Sequence, residues 1–246
     1  MIEAFIICWN EIETIQLTID HYKTWCDKIT FYDNYSDDGT PQAILKSGCQ
    51  LVPFGTKGKL EDEQYKHIKN TCWKDSNADW VVVCDCDEII WHPIIKTVLM
   101  VELHAGNTVF KSVGWDIFSN EMPNNSFFEI TNGIASENYS KLAVFSPKIK
   151  SINYVWGCHV ADPVGNVRYC GQKLLLFHYR NIGGAQRLVD RHAIYRPRMS
   201  KKNIQYGLGI HYTYDDDRRE KDWNEQYNRA RNFDIDRDFK PFVQIQ

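Results

Sequence analysis

The segment Trp80 to Glu88, WVVVCDCDE, constrains this chain more than any other. Trp80 to Cys84 is a continuous apolar run, the pattern of a strand covered on both faces inside a parallel sheet. Asp85, Asp87 and Glu88 follow at once. A parallel strand delivers such side chains to the carboxyl edge of its sheet, where ligands bind in open α/β folds. Residues alternate sides along an extended chain, so Asp85 and Asp87 share one side while Cys86 turns into the protein. Magnesium and manganese take oxygen ligands of this kind, one or two carboxylates with substrate phosphates supplying the rest. The plainer reading has these acids capping the next helix, with Pro93 nearby. A D-x-D pair alone is common by chance; its place after a buried strand is what favours a metal site.

The pattern around this strand is that of an α/β domain. Ile2 to Cys8 has the length and character of a strand. Asn10-Glu11 opens a helical segment with apolar residues at Ile12, Ile15, Ile19 and Tyr22. Lys28 to Tyr32 reads as a second strand, and Asp33 to Thr40 (DNYSDDGT) as a polar turn closed by Gly39. Pro41 suits the first position of the next helix, where its missing N–H is not needed. Gln50 to Phe54 is a third strand, and Glu61 to Asp75 a helix with Tyr65, Ile68 and Cys72 on one face. Alternating elements of this kind predict a mostly parallel central sheet flanked by helices, with right-handed crossovers.

Later segments are less regular. Thr108 to Val113 and Leu174 to Tyr179 read as strands, and Ser119 to Ser140 as a long polar loop, functional or mobile. A helix is expected over Arg218 to Arg231. Residues 1–182 are expected to form the main domain, and 183–246 a helical extension packed on it.

Composition narrows the partners. A formal net charge of -3 gives no reason to expect nucleic-acid binding. The apolar runs are too short to span a bilayer, and no basic region with a long apolar run follows Met1, so a cytoplasmic location without a transmembrane segment is expected. Peripheral membrane contact stays open. The eight cysteines lack paired or zinc-type spacing and read as structural free thiols. The sequons at Asn34, Asn124 and Asn138 carry little weight, and the cluster Arg187, Arg191, Arg196, Arg198, Lys201 and Lys202 reads as solvated surface.

Taken together, these segments resemble the family 2 glycosyltransferases of GT-A fold, in the small branch with a D-N-x-S-x-D-G-T turn. The matching residues are Asn10-Glu11, His21-Tyr22, Asp33 to Thr40, Gln64-Tyr65, Trp80 to Glu88, Trp115, Phe118, Lys141, His159 and His178-Tyr179-Arg180. The likeness spans about residues 4 to 182. It implies an inverting, metal-dependent transfer from a nucleotide-diphosphate sugar, with uridine diphosphate the usual carrier and manganese or magnesium the cation. The acceptor would be a hydroxyl of a glycan, free or linked to lipid or protein. On this resemblance the backbone near Cys8 to Asn10 and the side chain of Asp33 hold the base and ribose, Glu11 belongs to the same nucleotide site, Asp85 lies at the ribose or metal, and Asp87 ligates the metal.

His159 and His178 are candidates for a further metal ligand, although a lone histidine is more often a hydrogen-bonded core residue. Arg180 has the forked donors that suit a diphosphate, and Lys141 offers a point charge. An inverting transferase also needs a carboxylate to take the acceptor proton. Asp116 is the first choice, with Glu137 and Asp162 as alternatives. Trp91, Trp115 and Trp156 are possible sugar platforms, at least two of them expected to be core. Two other readings compete. A sugar-phosphate nucleotidyltransferase would carry a glycine-rich loop after its first strand, where this chain has Asn10-Glu11-Ile12-Glu13. A non-catalytic sugar- or nucleotide-binding module would not need Asp33, Asp85 and Asp87 intact.

Overall fold

The computed structural model describes residues 1–239. The first part of the chain runs β1 (Ile2–Cys8), α1 (Ile15–Lys23), β2 (Lys28–Asp33), α2 (Thr40–Lys46), β3 (Gln50–Pro53), α3 (Asp62–Thr71), β4 (Trp80–Asp85), β5 (Glu88–Trp91) and α4 (Ile95–His104). It continues through β6 (Val109–Phe110), β7 (Ser112–Phe118), β8 (Asn132–Ala135), β9 (Val144–Phe145) and β10 (Leu174–Asn181). Last come α5 (Gly184–Tyr195), α6 (Lys201–Gln205), α7 (Asp216–Arg229), β11 (Arg231–Asn232) and α8 (Ile235–Asp238).

Among the described residues the strands make two sheets, ordered β3-β2-β1-β4-β9-β6 and β11-β8-β7-β10-β5. In the first, β3, β2, β1 and β4 are all parallel, and β9 runs antiparallel to both β4 and β6. The expected α/β class with a mostly parallel sheet is therefore present. β1 is central because it is apolar on both sides. Ala4, Ile6 and Cys8 pack with Ile15, Ile19 and Tyr22, whereas Phe5 packs on the other side with Trp73, Val81 and Phe145. Each fully buried isoleucine or phenylalanine among these contributes about 1.5–3 kcal/mol. Since β2 lies on one side of β1 and β4 on the other, the order reverses at β1, and a crevice opens beyond the strand ends.

The second sheet sets the register that matters for the site. β10 pairs parallel with β7 and antiparallel with β5, placing His178 beside Asp116 on one neighbour and Glu88 on the other. Its pairing with β7 shifts between His178 and Asn181, a bulge of the kind that re-aims side chains.

Several expectations need correction. Thr108 to Val113 is two strands, because the chain leaves one sheet at Phe110 and enters the other at Ser112. Ile12 is exposed, and the buried face of α1 starts at Ile15. The α3 helix stops at Thr71, and the side chain it buries is Lys69 rather than an apolar residue. The polar stretch from Ser119 to Ser140 is ordered: Glu129 accepts from the backbone N–H groups of Asn124, Asn125 and Ser126, and β8 pairs with β7. Beyond residue 182, Trp223 of α7 donates its indole N–H to Asn181 O at 3.1 Å, while Phe233 and Phe239 pack against Trp115. No helix among the described residues is long and apolar enough to cross a membrane.

Candidate active site

A cleft of about 610 Å³ opens at the carboxyl edge of β1 and β4. Ile7 pairs with Asp85 in the register, and Cys8 with Asp33, so the ends of all three strands lie at this edge. The acidic segment is held rigidly there. Cys86 donates its N–H to Ile7 O at 2.9 Å, and its own carbonyl accepts the Thr18 hydroxyl at 2.8 Å. Asp87 O accepts the Tyr179 N–H at 2.8 Å. With Cys86 buried, Asp85 and Asp87 both line the cleft.

Asp87 and His178 face one another, with Oδ2 3.5 Å from Nε2. The other ring nitrogen, Nδ1, donates to Asp116 Oδ1 at 2.9 Å, and the Asn181 amide donates to the same oxygen at 2.9 Å. The Tyr139 ring stacks on the imidazole at 3.8 Å with an interplanar angle of 18°. Burial alone would lower the pKa of His178, but Asp87 and Asp116 outweigh it and hold it up at about 9. Burial raises Asp87, yet His178, Arg180 and Arg191 together pull it well below the usual carboxylate range.

The neighbouring acids carry lysines. Lys69 Nζ lies 2.7 Å from Asp85 Oδ2, and the buried Lys141 makes an ion pair with the buried Glu88. Burial raises Glu88, while Lys141, Lys69 and His178 bring it down to about 2. Lys141 is thus committed to Glu88, and it lies 4.0 Å from Asp85 as well. Lys69 was not singled out from the sequence. The signal was there in its position four residues after Tyr65, on the face of α3 that lines the cleft.

The turn after β2 is tied down internally. Both Asp33 oxygens are taken by Ser36, through its hydroxyl at 2.5 Å and its N–H at 2.9 Å, and Asp33 does not line the cleft. Asn10, with φ of 51°, exchanges side-chain and backbone bonds with Asp37 at 2.7 and 2.9 Å and also stays outside. These two therefore shape the turn around the cleft. Cys8 lines the cleft, and burial pushes its thiol well up. Glu11 lines it too, paired with Arg191 at 2.5 Å. The basic cluster is consequently not plain solvated surface: Arg198 is buried, its guanidinium 3.3 Å from the Trp9 ring centroid and bonded to Asn34. A planar cation stacked on indole can bury its charge there because the ring face is electron-rich.

The remaining candidates divide. His159 lines the cleft, its Nδ1 2.9 Å from Asn138 O, and burial followed by Lys141 pushes its pKa down. Arg180 lines it, with Nη2 3.1 Å from His192 Nε2. Glu137 and Asp162 are exposed and do not line this cleft, although Glu137 lines an adjoining pocket together with Asp116. Of the tryptophans, Trp91 and Trp115 pack in aromatic clusters, and Trp156, 43% exposed, stands at the cleft. The third sequon carries more than expected, since Asn138 lines the cleft and Tyr139 stacks on His178.

A divalent cation fits one part of this arrangement. Among the described residues no group of three or more His, Cys, Asp or Glu side chains could hold a metal by itself. Asp87 and His178 do fit as a pair. Their 3.5 Å separation is close to the roughly 3 Å expected between adjacent oxygen or nitrogen ligands of one hard cation. The Asp116 contact to Nδ1 is the carboxylate–histidine support seen behind metal-bound imidazoles. Asp85, expected at the metal as well, is engaged by Lys69.

No protein-family model matches the chain, and no curated protein does. Solved structures similar to it include glucosyl-3-phosphoglycerate synthase from Mycobacterium tuberculosis in complex with Mn2+, uridine diphosphate and glucosyl-3-phosphoglycerate. That likeness has 23% identity and a TM-score of 0.35, covering 46% of this chain and 44% of that one. TarS of S. aureus is similar at 13% identity and a TM-score of 0.37, covering 59% of this chain and 28% of that one. The likeness thus takes in less than half the length of either structure, and at these TM-scores it fixes neither activity nor ligand for this chain.

Proposed function

We propose that this chain is a glycosyltransferase using a nucleotide-diphosphate sugar, with uridine diphosphate as the carrier and manganese or magnesium as the cation. The observation that carries the reading is the line Asp87–His178–Asp116 in a cleft at the strand-order reversal. Asp87 and His178 would hold the cation, which neutralises charge developing on the departing diphosphate when bound. Arg180 lends a fixed positive charge beside Asp87. Asp116 takes both of its hydrogen bonds on Oδ1, which leaves Oδ2 for the hydroxyl of the acceptor. In a single displacement the acceptor oxygen bonds to the anomeric carbon as the bond from that carbon to the phosphate oxygen breaks. The diphosphate leaves with the bonding pair, and the hydroxyl proton passes to Asp116 Oδ2. Configuration at the anomeric carbon inverts.

The test is a panel of nucleotide sugars offered with manganese and with chelator, following release of the nucleoside diphosphate. Manganese-dependent release from a uridine-diphosphate sugar, lost in Asp87→Asn, is the expected result. A protein that binds no uridine diphosphate under either condition would overturn the reading.

A further inference from the structure

The cleft has a second charged wall, built around Arg180 by residues beyond the span of the sequence likeness. Arg219 of α7, and His211 and Tyr212 from the turn before it, line the cleft together with Arg180 and Tyr195. Among the described residues Arg180 has no carboxylate within ion-pair distance. Its guanidinium instead lies 5.1 Å from the Tyr212 ring centroid and 5.8 Å from that of Tyr195. The Arg219 side chain is 15% exposed, and its one acidic partner among the described residues is Asp222, a turn further along α7 at 3.5 Å. Its Nε is buried with no hydrogen-bond partner.

The two guanidinium groups thus line one partly dry wall, Arg180 beside Asp87 on the donor side and Arg219 with an unpartnered Nε on the other. Burial, then Arg180 and Arg219, push His192 down to about 2 and His211 to about 3, so both rings are neutral. Burial and then Arg180 also lower Arg219. Like charges held together in this way are stabilised by an oxyanion between them, and the forked donors of arginine suit phosphate and carboxylate geometry.

We infer that Arg219, with His211 and the neighbouring edge of Arg180, forms a subsite for a phosphate or carboxylate group carried by the acceptor. The acceptor is then an anionic hydroxyl compound rather than a neutral sugar. This rests on the glycosyltransferase reading for the word acceptor, while the anion site itself rests on the geometry of the wall. The donor's diphosphate belongs at Asp87 and His178, so the two oxyanions occupy the cleft together.

The experiment is calorimetric titration of the full chain with inorganic phosphate, alone and with saturating uridine diphosphate and magnesium, for wild type, Arg219→Gln and Arg219→Lys. Phosphate should bind in both conditions. It should weaken roughly 10-fold or more in Arg219→Gln, the loss expected for a charged hydrogen bond, and less in Arg219→Lys. Uridine diphosphate affinity should be unchanged in both variants, and thermal unfolding confirms that they fold. Displacement of phosphate by uridine diphosphate would assign the wall to the donor and overturn the inference. So would phosphate binding that survives Arg219→Gln, or a wild type that binds none. Phosphate binding that depends on Arg219 in a protein that ignores uridine diphosphate would uphold the anion site and remove only the donor reading.

Discussion

Lys69 Nζ lies 2.7 Å from Asp85 Oδ2, with the lysine side chain 4% exposed and the aspartate 36%. The pair is therefore asymmetric. The carboxylate can hydrate if its partner goes, and the ammonium cannot.

That asymmetry predicts unequal variants. Asp85→Asn should cost about 3 kcal/mol, because it strands a buried ammonium whose other acidic neighbour, Glu88, is already paired with Lys141. Lys69→Met keeps the packing and frees a half-exposed acid, at a cost of about 1 kcal/mol or less. Urea denaturation of both variants measures the difference. Equal losses would mean that water reaches Lys69.

A second prediction concerns protons at His178. Its folded pKa, raised to about 9, lies above the ordinary value of 6.5. Without metal, the stability it contributes is complete below about pH 6.5 and is lost as pH rises through about 9. A cation ligated by Nε2 must displace a proton there, so magnesium-supported uridine diphosphate binding should strengthen with pH across this window and release a proton. Calorimetry in buffers of different ionisation enthalpy counts that proton. Asp116→Asn should weaken metal-supported binding by about 10–100-fold in addition to slowing turnover, since Asp116 orients the imidazole. Unchanged binding in that variant would leave Asp116 to the acceptor alone.

A third prediction tests the packing behind the histidine. A Cβ at Gly114 would lie 2.2 Å from the Tyr139 carbonyl carbon and 2.5 Å from Ser136 O. Backbone atoms cannot yield as side chains do, so Gly114→Ala must move the turn that stacks Tyr139 on His178. A loss of about 1–3 kcal/mol in urea denaturation is expected, together with an altered His178 titration followed by NMR. A variant with normal stability and titration would show that the turn shifts freely.

Some of this was legible in the chain. The apolar run of Trp80 to Cys84, the alternation of Asp85 and Asp87 and the turn at Gly39 are local patterns, and each appears where its pattern places it. The fate of Asp33 was not legible. Its sequence context suits a ligand contact and a self-bonded turn equally, and the Ser36 bonds that fix its carboxylate are visible only in the folded turn. The strand break at Lys111 is not legible either, because strand-forming residues on both sides of it read the same whether they belong to one sheet or two.

The sequence by itself determined the strand order's raw material and the delivery of acids to one sheet edge, because apolar periodicity and turn chemistry act between near neighbours. The tertiary structure decided which charge meets which. Arg191 reaches Glu11 across 180 residues, Arg198 reaches Asn34 across 164, and His178 reaches Asp116 across 62. The energy of such pairs depends on distance and burial, and those are properties of the folded chain alone.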